Sequence, residues 1–347
     1  MKRIFLLTAV FILMLSGKAF SAGGHYVDIE NDVFLSSLAL GELNEDRDYT
    51  MGVRLALTGD WADESLFTPL DALDLAIDEN LNGGEYTKEI FSRQFILGSE
   101  NYTPDDLREY APIYDDRPYA SILYLSTVKF KVNEAKNKML ITDLRVGALG
   151  LGLAENTQTW LHEMMNDNDT KAPHTPRGWP NQISEGGELT GLYSVTYLRK
   201  RKKLDGQLVD LEIVTGHNVR AGYNVGYNYI VNIKLGKFDK DNFIHNIDSV
   251  RALWNEAPSD SEHFAYVTLR PHFVFYNALL NGQLRDSAYT LSSDEIRHFV
   301  FEGEVGCRSL FEGGLGFNIF AANITSEISV GKKRTHYWAG MSFDYTM

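Results

Sequence analysis

Strict alternation of side chains between residues 221 and 236 is the feature that most limits how this chain can fold. Every second residue there is apolar or aromatic, and the residues between are small or polar, with few exceptions. Because successive side chains of a strand point to opposite faces, the segment predicts a strand with one apolar face. Its Tyr223, Tyr227 and Tyr229 favour the aromatic girdle of a membrane barrel, and its length exceeds the roughly 9–11 residues of one tilted span.

The same two-residue period recurs along the chain and predicts about twelve strands. Residues 120–133 and 140–148 alternate around a short polar segment, which is typical of adjacent antiparallel strands. The chain stops inside the last candidate, which we expect to pair with the first and close the sheet. The candidates besides these two are 25–34, 50–58, 190–200, 207–217, 221–236, 263–276, 285–292, 296–308, 313–325 and 336–347. The predicted fold class is all-β: a closed antiparallel transmembrane β-barrel of about 12 strands.

Two segments have helical spacing instead. Residues 66–81 place Pro69 at a first helical position and end before a glycine pair. Residues 154–168 carry an apolar face that includes Trp160 and Met164. We expect both to form short helices in external loops of the barrel.

The N-terminus predicts export. Lys2 and Arg3 precede an apolar run, and small residues follow at 19–22, which is the pattern of a signal peptide. No later stretch approaches the roughly 18 apolar residues of a membrane helix, so membrane insertion requires a closed barrel. We therefore divide the chain into a signal peptide at 1–22 and a barrel domain at 23–347, located in the outer membrane of a Gram-negative-type cell.

Composition excludes one class of partner. The chain has a net charge of −14, and the signal peptide contains three basic residues and no acid, so its removal gives −17. Such a charge is not that of a nucleic-acid-binding protein. The single cysteine, Cys307, cannot form an internal disulfide, and we expect it to be a buried, inert thiol.

Three segments carry residues suited to chemistry. Asn31 and Asp32 end the first strand with a carboxamide and a carboxylate, which are hard oxygen ligands suited to calcium. Thr50 opens the next strand, where we expect its hydroxyl to share a face with Arg54. In a helix, Gln158 and His162 lie on one face, which would pair a ligand with a base that titrates near neutral pH.

Six short motifs occur in order between residues 30 and 182, and together they resemble the outer-membrane lipid A 3-O-deacylase family. The motifs are Glu30-Asn31-Asp32-Val33-Phe34, Asp46-Arg47-Asp48-Tyr49-Thr50-Met51-Gly52, Tyr102-Thr103-Pro104, Asp116-Arg117-Pro118-Tyr119-Ala120, Gln158-Thr159-Trp160-Leu161-His162 and Gly178-Trp179-Pro180-Asn181-Gln182.

The resemblance implies an activity and a set of site residues. It implies calcium-dependent hydrolysis of the ester-linked acyl chain at the 3 position of lipid A, at a site between the barrel wall and a loop helix. By the matching motifs, His162 would activate water, Asp32 and Thr50 would lie at the Ca²⁺ site, and Asn31 and Gln158 would complete it. The partner would be lipid A of lipopolysaccharide in the outer leaflet. Apart from the resemblance, the charges of Arg117 and Arg54 suit contact with lipid phosphates or, alternatively, ion pairs in the barrel lumen.

Two alternatives stay open at this stage. One is an outer-membrane phospholipase that uses a serine nucleophile, although none of the nine histidines has a serine two residues later. The other is a porin or structural barrel without enzymatic activity. The sequence leaves open the accepted acyl chains and the oligomeric state.

Overall fold

A computed structural model describes residues 24–31, 48–59, 72, 76, 88–89, 93–133, 137–166, 176–204, 206, 209–238, 260–331 and 333–346, without the side chains of 88–89 and 160–166. The described part contains these strands: β1 (Gly24–Asn31), β2 (Asp48–Thr58), β3 (Lys88–Glu89), β4 (Gln94–Thr103), β5 (Ala120–Asn133), β6 (Lys138–Leu149), β7 (Glu188–Leu204), β8 (Asp210–Gly222), β9 (Asn224–Lys237), β10 (Glu262–Asn277), β11 (Phe299–Leu310), β12 (Leu315–Ile324) and β13 (His336–Thr346).

Twelve of these strands form a closed antiparallel barrel. The order around the sheet is β5-β4-β2-β1-β13-β12-β11-β10-β9-β8-β7-β6, and β6 pairs back with β5. The first strand pairs over its full length with the last, from Gly24 with Thr346 to Asn31 with Ala339. The two-residue β3 is an addition that pairs with the end of β5. The predicted fold class is confirmed, including closure by the last strand.

Strand direction defines two ends of the barrel. β1 begins and β13 ends at one end, which we call the terminal end. The long connections 104–119, 150–187 and 278–298 lie at the opposite end, which we call the loop end. Helix α1 (Leu153–Asn166) belongs to the second of these connections, and the four-residue helix α2 (Ala278–Asn281) belongs to the third. The connections 59–93 and 238–261 join strands at the terminal end, as do the short turns 134–137, 205–209 and 311–314. Because short turns of bacterial barrels face the periplasm, we assign the loop end to the external side.

The two faces of the wall differ as the alternation predicts. Large apolar side chains are exposed on the outer face, including Leu125, Val219, Phe273 and Val305. The described interior contains ion pairs and apolar clusters toward both ends. Between them lies a cavity of about 260 Å³ that is lined mainly by charged and polar residues. An apolar exterior and a filled interior are expected for a small barrel in lipid. The described residues include no helix that is long and apolar enough to span a membrane.

Three strand predictions need correction. The segment 221–236 is not one strand, because Gly222, with φ 145°, ends β8 and Tyr223 turns the chain into β9. Tyr223 is buried and Arg145 Nη1 donates to its hydroxyl over 3.4 Å, so it is not part of the outer girdle. Residues 285–292 form a loop whose Tyr289 and Leu291 pack into a small cluster. The missing strand is β4, which the sequence analysis did not predict.

Two further expectations differ from the structure. Residues 66–81 lie mostly outside the described residues, and only Ala72 and Ala76 of this segment are described, both helical. The strand ends that this connection joins, Thr58 of β2 and Gln94 of β4, lie at the terminal end, whereas α1 belongs to a connection at the loop end. Cys307 is exposed on the outer face of β11 rather than buried. The odd-numbered residues of this strand face outward, and Cys307 is one of them. The predicted signal peptide lies outside the described residues and stays a prediction.

Candidate active site on the outer wall

A row of residues in register crosses four neighbouring strands at the loop end. Asn31 pairs with Met51, Met51 with Asn101, and Asn101 with Ser121. These residues face outward, where most of the wall is apolar, yet the two asparagines and the serine are only 4–5% exposed. Burying polar groups on a lipid-facing wall costs free energy unless they are hydrogen-bonded. A row of such groups therefore marks a candidate site.

A β-bulge brings Thr50 to the same face. Tyr49 pairs with Tyr102 and Met51 pairs with Asn101, which leaves Thr50 as the extra residue of β2. Tyr49 points inward and donates to Glu30 over 2.8 Å. Its hydroxyl occupies the place of a side chain at Gly52, where a Cβ would lie only 1.8 Å away. Bulges of this kind redirect one side chain, and here the redirected residue is Thr50.

Thr50 is held by hydrogen bonds to two strands. Its hydroxyl lies 2.7 Å from the hydroxyl of Thr103 on β4, which is itself fully buried. Its carbonyl accepts from Asn31 Nδ2 over 2.9 Å. The prediction that Thr50 shares a face with Arg54 is therefore wrong: Arg54 faces the interior, and the bulge moves Thr50 to the outside.

An ion-pair network fixes the chain just before this bulge. Asp48 adopts a left-handed backbone conformation with φ 62°. Arg334, in the loop before β13, contacts Asp48 over 3.1 Å and Asp116 over 2.8 Å. Burial alone would lower the pKa of Arg334, but these two carboxylates raise it above its usual range. The guanidinium therefore stays charged and ties two of the six motifs together.

Helix α1 is positioned by two residues of other motifs, Trp179 and Tyr119. Trp179 is fully buried and its Nε1 donates to Gln158 Oε1 over 2.8 Å. Tyr119 packs edge-on against Trp179, with ring centroids 4.9 Å apart. Ala154, one turn before Gln158, belongs to the same buried cluster. This face of the helix is thus turned toward the loops that leave the wall.

Ser121 connects that helix segment to the row on the wall. Its hydroxyl bonds to Gln182 Oε1 over 2.8 Å and lies 3.4 Å from the carbonyl of Leu151, two residues before α1. The wall row and the beginning of α1 are therefore joined through one side chain. The Gln182 amide, in turn, donates to Glu185 over 2.6 Å.

The structure brings together part of the predicted site. Asn31 and Thr50 are in direct contact, and Gln158 lies on α1 at the same end of the barrel. His162 lies one turn beyond Gln158 within α1, but its side chain is outside the described residues, as is the whole of Asp32. Their assigned roles stay predictions.

The two predicted phosphate-binding arginines lie elsewhere. Arg54 is buried in the interior and contacts Asp28 over 2.7 Å and Glu30 over 2.5 Å. Arg117 is 2% exposed, pairs with Glu327 and lies over the Tyr102 ring. Buried ion pairs of this kind do not favour contact with a lipid phosphate, and the substrate-binding role of the two arginines stays a prediction.

Sequence reasoning missed three residues of the site. Asn101 and Ser121 were not assigned a role, and Thr103 was noted only as part of a motif. A signal exists for β4, because Ser99, Asn101 and Thr103 are three polar residues at alternate positions. This pattern can be interpreted only once the strand and its outer face are known.

The oxygen atoms on this part of the outer wall are of a type that binds hard cations. Asn101 Oδ1 is buried and has no hydrogen-bond partner among the described residues. Amide and hydroxyl oxygens of β1, β2 and β4 lie on the same outer face at this end of the barrel, and oxygen ligands of this type are those that calcium prefers. Within the described ranges no three His, Cys, Asp or Glu residues form a metal-binding group. The oxygens that the described residues contribute to this row are therefore neutral amide and hydroxyl oxygens.

Comparisons with known proteins show the family and the fold. The family described as outer membrane protein LpxR matches residues 4–347. LpxR from Salmonella typhimurium superimposes with a TM-score of 0.70 and 16% identity, over 93% of this chain and 100% of that chain. The β-domain of the Bordetella autotransporter BrkA aligns with a TM-score of 0.40 and 10% identity, over 94% and 100%. No curated protein gives a significant match. The family match confirms the resemblance drawn from the six motifs.

Proposed function

The chain belongs to the LpxR outer membrane protein family, and on this premise we propose that it is a calcium-dependent lipid A 3-O-deacylase. The observation that carries the proposal is the buried polar row on the outer wall at the loop end. Lipid A occupies the outer leaflet, so its acyl esters lie beside this part of the wall. A site inside the barrel would not be accessible to an acyl chain that stays in the membrane.

His162 is the general base of the proposed reaction. It removes a proton from a water molecule as the water oxygen bonds to the ester carbonyl carbon. The carbon–oxygen bond to the sugar then breaks, and the proton returns to the leaving sugar oxygen. A histidine suits this because its ordinary pKa lies near neutral pH.

The wall residues hold the cation and the ester. Asp32, Asn31 and Thr50 are the proposed ligands, and Asn101 Oδ1 supplies a further oxygen. When bound, calcium polarises the ester carbonyl and stabilises negative charge on its oxygen. Gln158 keeps α1 in place through Trp179, and its oxygen retains a second lone pair for a ligand role.

The alternatives receive less support. A porin requires an open passage, whereas apolar clusters with Phe130 and Met139 toward one end and Ile122 and Leu149 toward the other fill this interior. A phospholipase with a serine nucleophile requires a serine beside its base. Of the two serines described on the outer face at the site, Ser121 is bonded to Gln182, and Ser99 lies 3.4 Å from Asn101 Nδ2.

Mass spectrometry of lipid A tests the proposal. A Gram-negative strain without such an enzyme would express either the wild-type chain or His162→Ala, with barrel assembly checked by heat-modifiable gel mobility. We expect the wild type to remove one 3-position acyl chain, and the variant to be slower by roughly 10²- to 10⁴-fold. Unchanged lipid A with cleaved phospholipid would replace the proposal by a phospholipase, and no lipid product at all would contradict any hydrolase.

A further inference from the structure

A run of five basic residues, Arg199 to Lys203, ends β7 at the terminal end of the barrel. The chain carries a net charge of −14, so this is a marked local excess of positive charge. Arg199, Arg201, Lys202 and Lys203 are exposed, whereas Lys200 is only partly exposed. The run lies far from the loop-end site and has no part in the proposed reaction.

The register separates the members of the run by face. Lys200 points inward and contacts Glu212 over 3.1 Å. Arg199 lies on the opposite, outer face, between Lys138 of β6 and Thr215 of β8. Glu212 therefore neutralises an interior lysine and not the outward arginine.

A second β-bulge adds positive charge to the outer face. β7 shifts register between Lys200 and Lys202, so Arg201 is the extra residue. Its Nε donates to the outward hydroxyl of Thr215 over 2.7 Å. Lys202 then pairs with the outward Ile213. The bulge thus places both Arg201 and Lys202 on the outer face. In a regular strand, only one of two successive side chains would lie there.

The position of these residues corresponds to the lipid headgroups. Tyr197 lies two residues nearer the middle of the barrel on the same outer face, with the Lys138 ammonium 6.0 Å from its ring centre. Aromatic residues of barrel walls sit at the boundary of the hydrocarbon, so side chains just beyond them lie among phosphates. The β8 residues that flank the run, Ile213 and Thr215, carry no charge.

We propose that Lys138, Arg199, Arg201 and Lys202, here called the basic patch, bind the phosphate of an anionic glycerophospholipid in the leaflet at the terminal end. Arginine presents several N–H donors to phosphate oxygens, and lysine adds a point charge. Clustered basic side chains at a membrane surface attract anionic lipids through the same forces. The loop end faces lipid A, so the two ends would recognise two different lipids.

Native mass spectrometry of the full-length barrel released from detergent tests this proposal. The probes are phosphatidylglycerol and phosphatidylcholine, which differ in headgroup charge. The variant Arg199→Gln/Arg201→Gln/Lys202→Gln removes three charges from the patch. The matched control Arg108→Gln/Arg285→Gln/Lys333→Gln removes three exposed charges in loop-end connections.

We expect the wild type and the control to retain phosphatidylglycerol in preference to phosphatidylcholine. The patch variant should bind phosphatidylglycerol at least tenfold more weakly, with binding of phosphatidylcholine and deacylation of lipid A in detergent unchanged. If the triple variant fails to assemble, the single Arg201→Gln variant should show a smaller loss in the same direction. Equal retention of phosphatidylglycerol by wild type and patch variant would overturn the proposal, as would a patch that captures an acidic protein without affecting lipid binding.

Discussion

The hydroxyl of Thr50 lies 2.7 Å from the hydroxyl of Thr103, on the outer wall of the barrel. Thr50 is the extra residue of a bulge in β2, and Thr103 is the last residue of β4. This hydrogen bond joins side chains of two motifs that are 53 residues apart in sequence and that also meet through the pairing of β2 with β4. The pair fixes Thr50 next to Asn31, where the proposed cation and ester would bind.

The first prediction removes this hydrogen bond. Thr103→Val keeps the shape of the side chain but leaves the buried Thr50 hydroxyl without its partner, at a cost of about 1–3 kcal/mol. We expect lipid A deacylation to fall about tenfold while heat-modifiable mobility is unchanged. Thr103→Ser, which retains the hydroxyl, should keep most of the activity. Full activity in the valine variant would mean that Thr50 is positioned by other contacts.

The second prediction concerns the glycine that allows the bulge. In Gly52→Ala the new Cβ would overlap the Tyr49 hydroxyl, so Tyr49 must move and the bulge at Thr50 must change. We expect a large loss of deacylation, measured as product formed per folded barrel. Gly152→Ala is the matched control, because nothing lies within 4 Å of a Cβ there. Similar activity in the two variants would show that the bulge is not needed.

A third prediction tests how α1 is held. Gln158→Leu leaves the buried Trp179 Nε1 without an acceptor, whereas Gln158→Glu keeps an oxygen at the same place. We expect the leucine variant to lose at least tenfold in deacylation rate and the glutamate variant to lose less. Equal rates in the two variants would show that this hydrogen bond is not needed to hold α1 in place.

The fourth prediction concerns the metal. A chelator should abolish deacylation by the purified barrel, and added calcium should restore it. Magnesium should restore it poorly, since it demands tighter octahedral geometry than amide and hydroxyl oxygens on a wall provide. Asp32→Asn should require more calcium for the same rate, as isothermal titration of calcium would detect independently of activity. A full rate in excess chelator would exclude calcium from the reaction.

Alternation along the chain was enough to predict the barrel, its approximate strand count and its closure, because lipid imposes an apolar outer face on most strands. β4 escaped prediction for a physical reason. Its outer face changes from Phe95 and Leu97 to Ser99, Asn101 and Thr103 within one strand. The site itself therefore interrupts the period from which strands are recognised.

The site was predicted in part, for a related reason. The sequence was enough to name Asn31, Thr50 and Gln158, because each lies within a short motif of neighbouring residues. The face on which Thr50 lies depends on a bulge, and the bulge depends on Tyr49 filling the space above Gly52. Arg54 and Arg117 were considered for lipid phosphates, yet interior carboxylates bind both. The alternation of side chains along one strand shows which face a residue lies on, but it does not identify its partner on another strand.

Neighbouring residues on β4 provide the most direct test of where the chemistry occurs. Asn101 faces the outer wall, and Glu100 faces the interior beside Tyr102 and Tyr124. Asn101→Leu and Glu100→Gln would each be purified, and the lipid A product would be measured by mass spectrometry over time. The account predicts that Asn101→Leu loses at least tenfold in rate while Glu100→Gln stays within about twofold of wild type. Loss of activity in Glu100→Gln with full activity in Asn101→Leu would place the reaction inside the barrel and contradict a site on the outer wall.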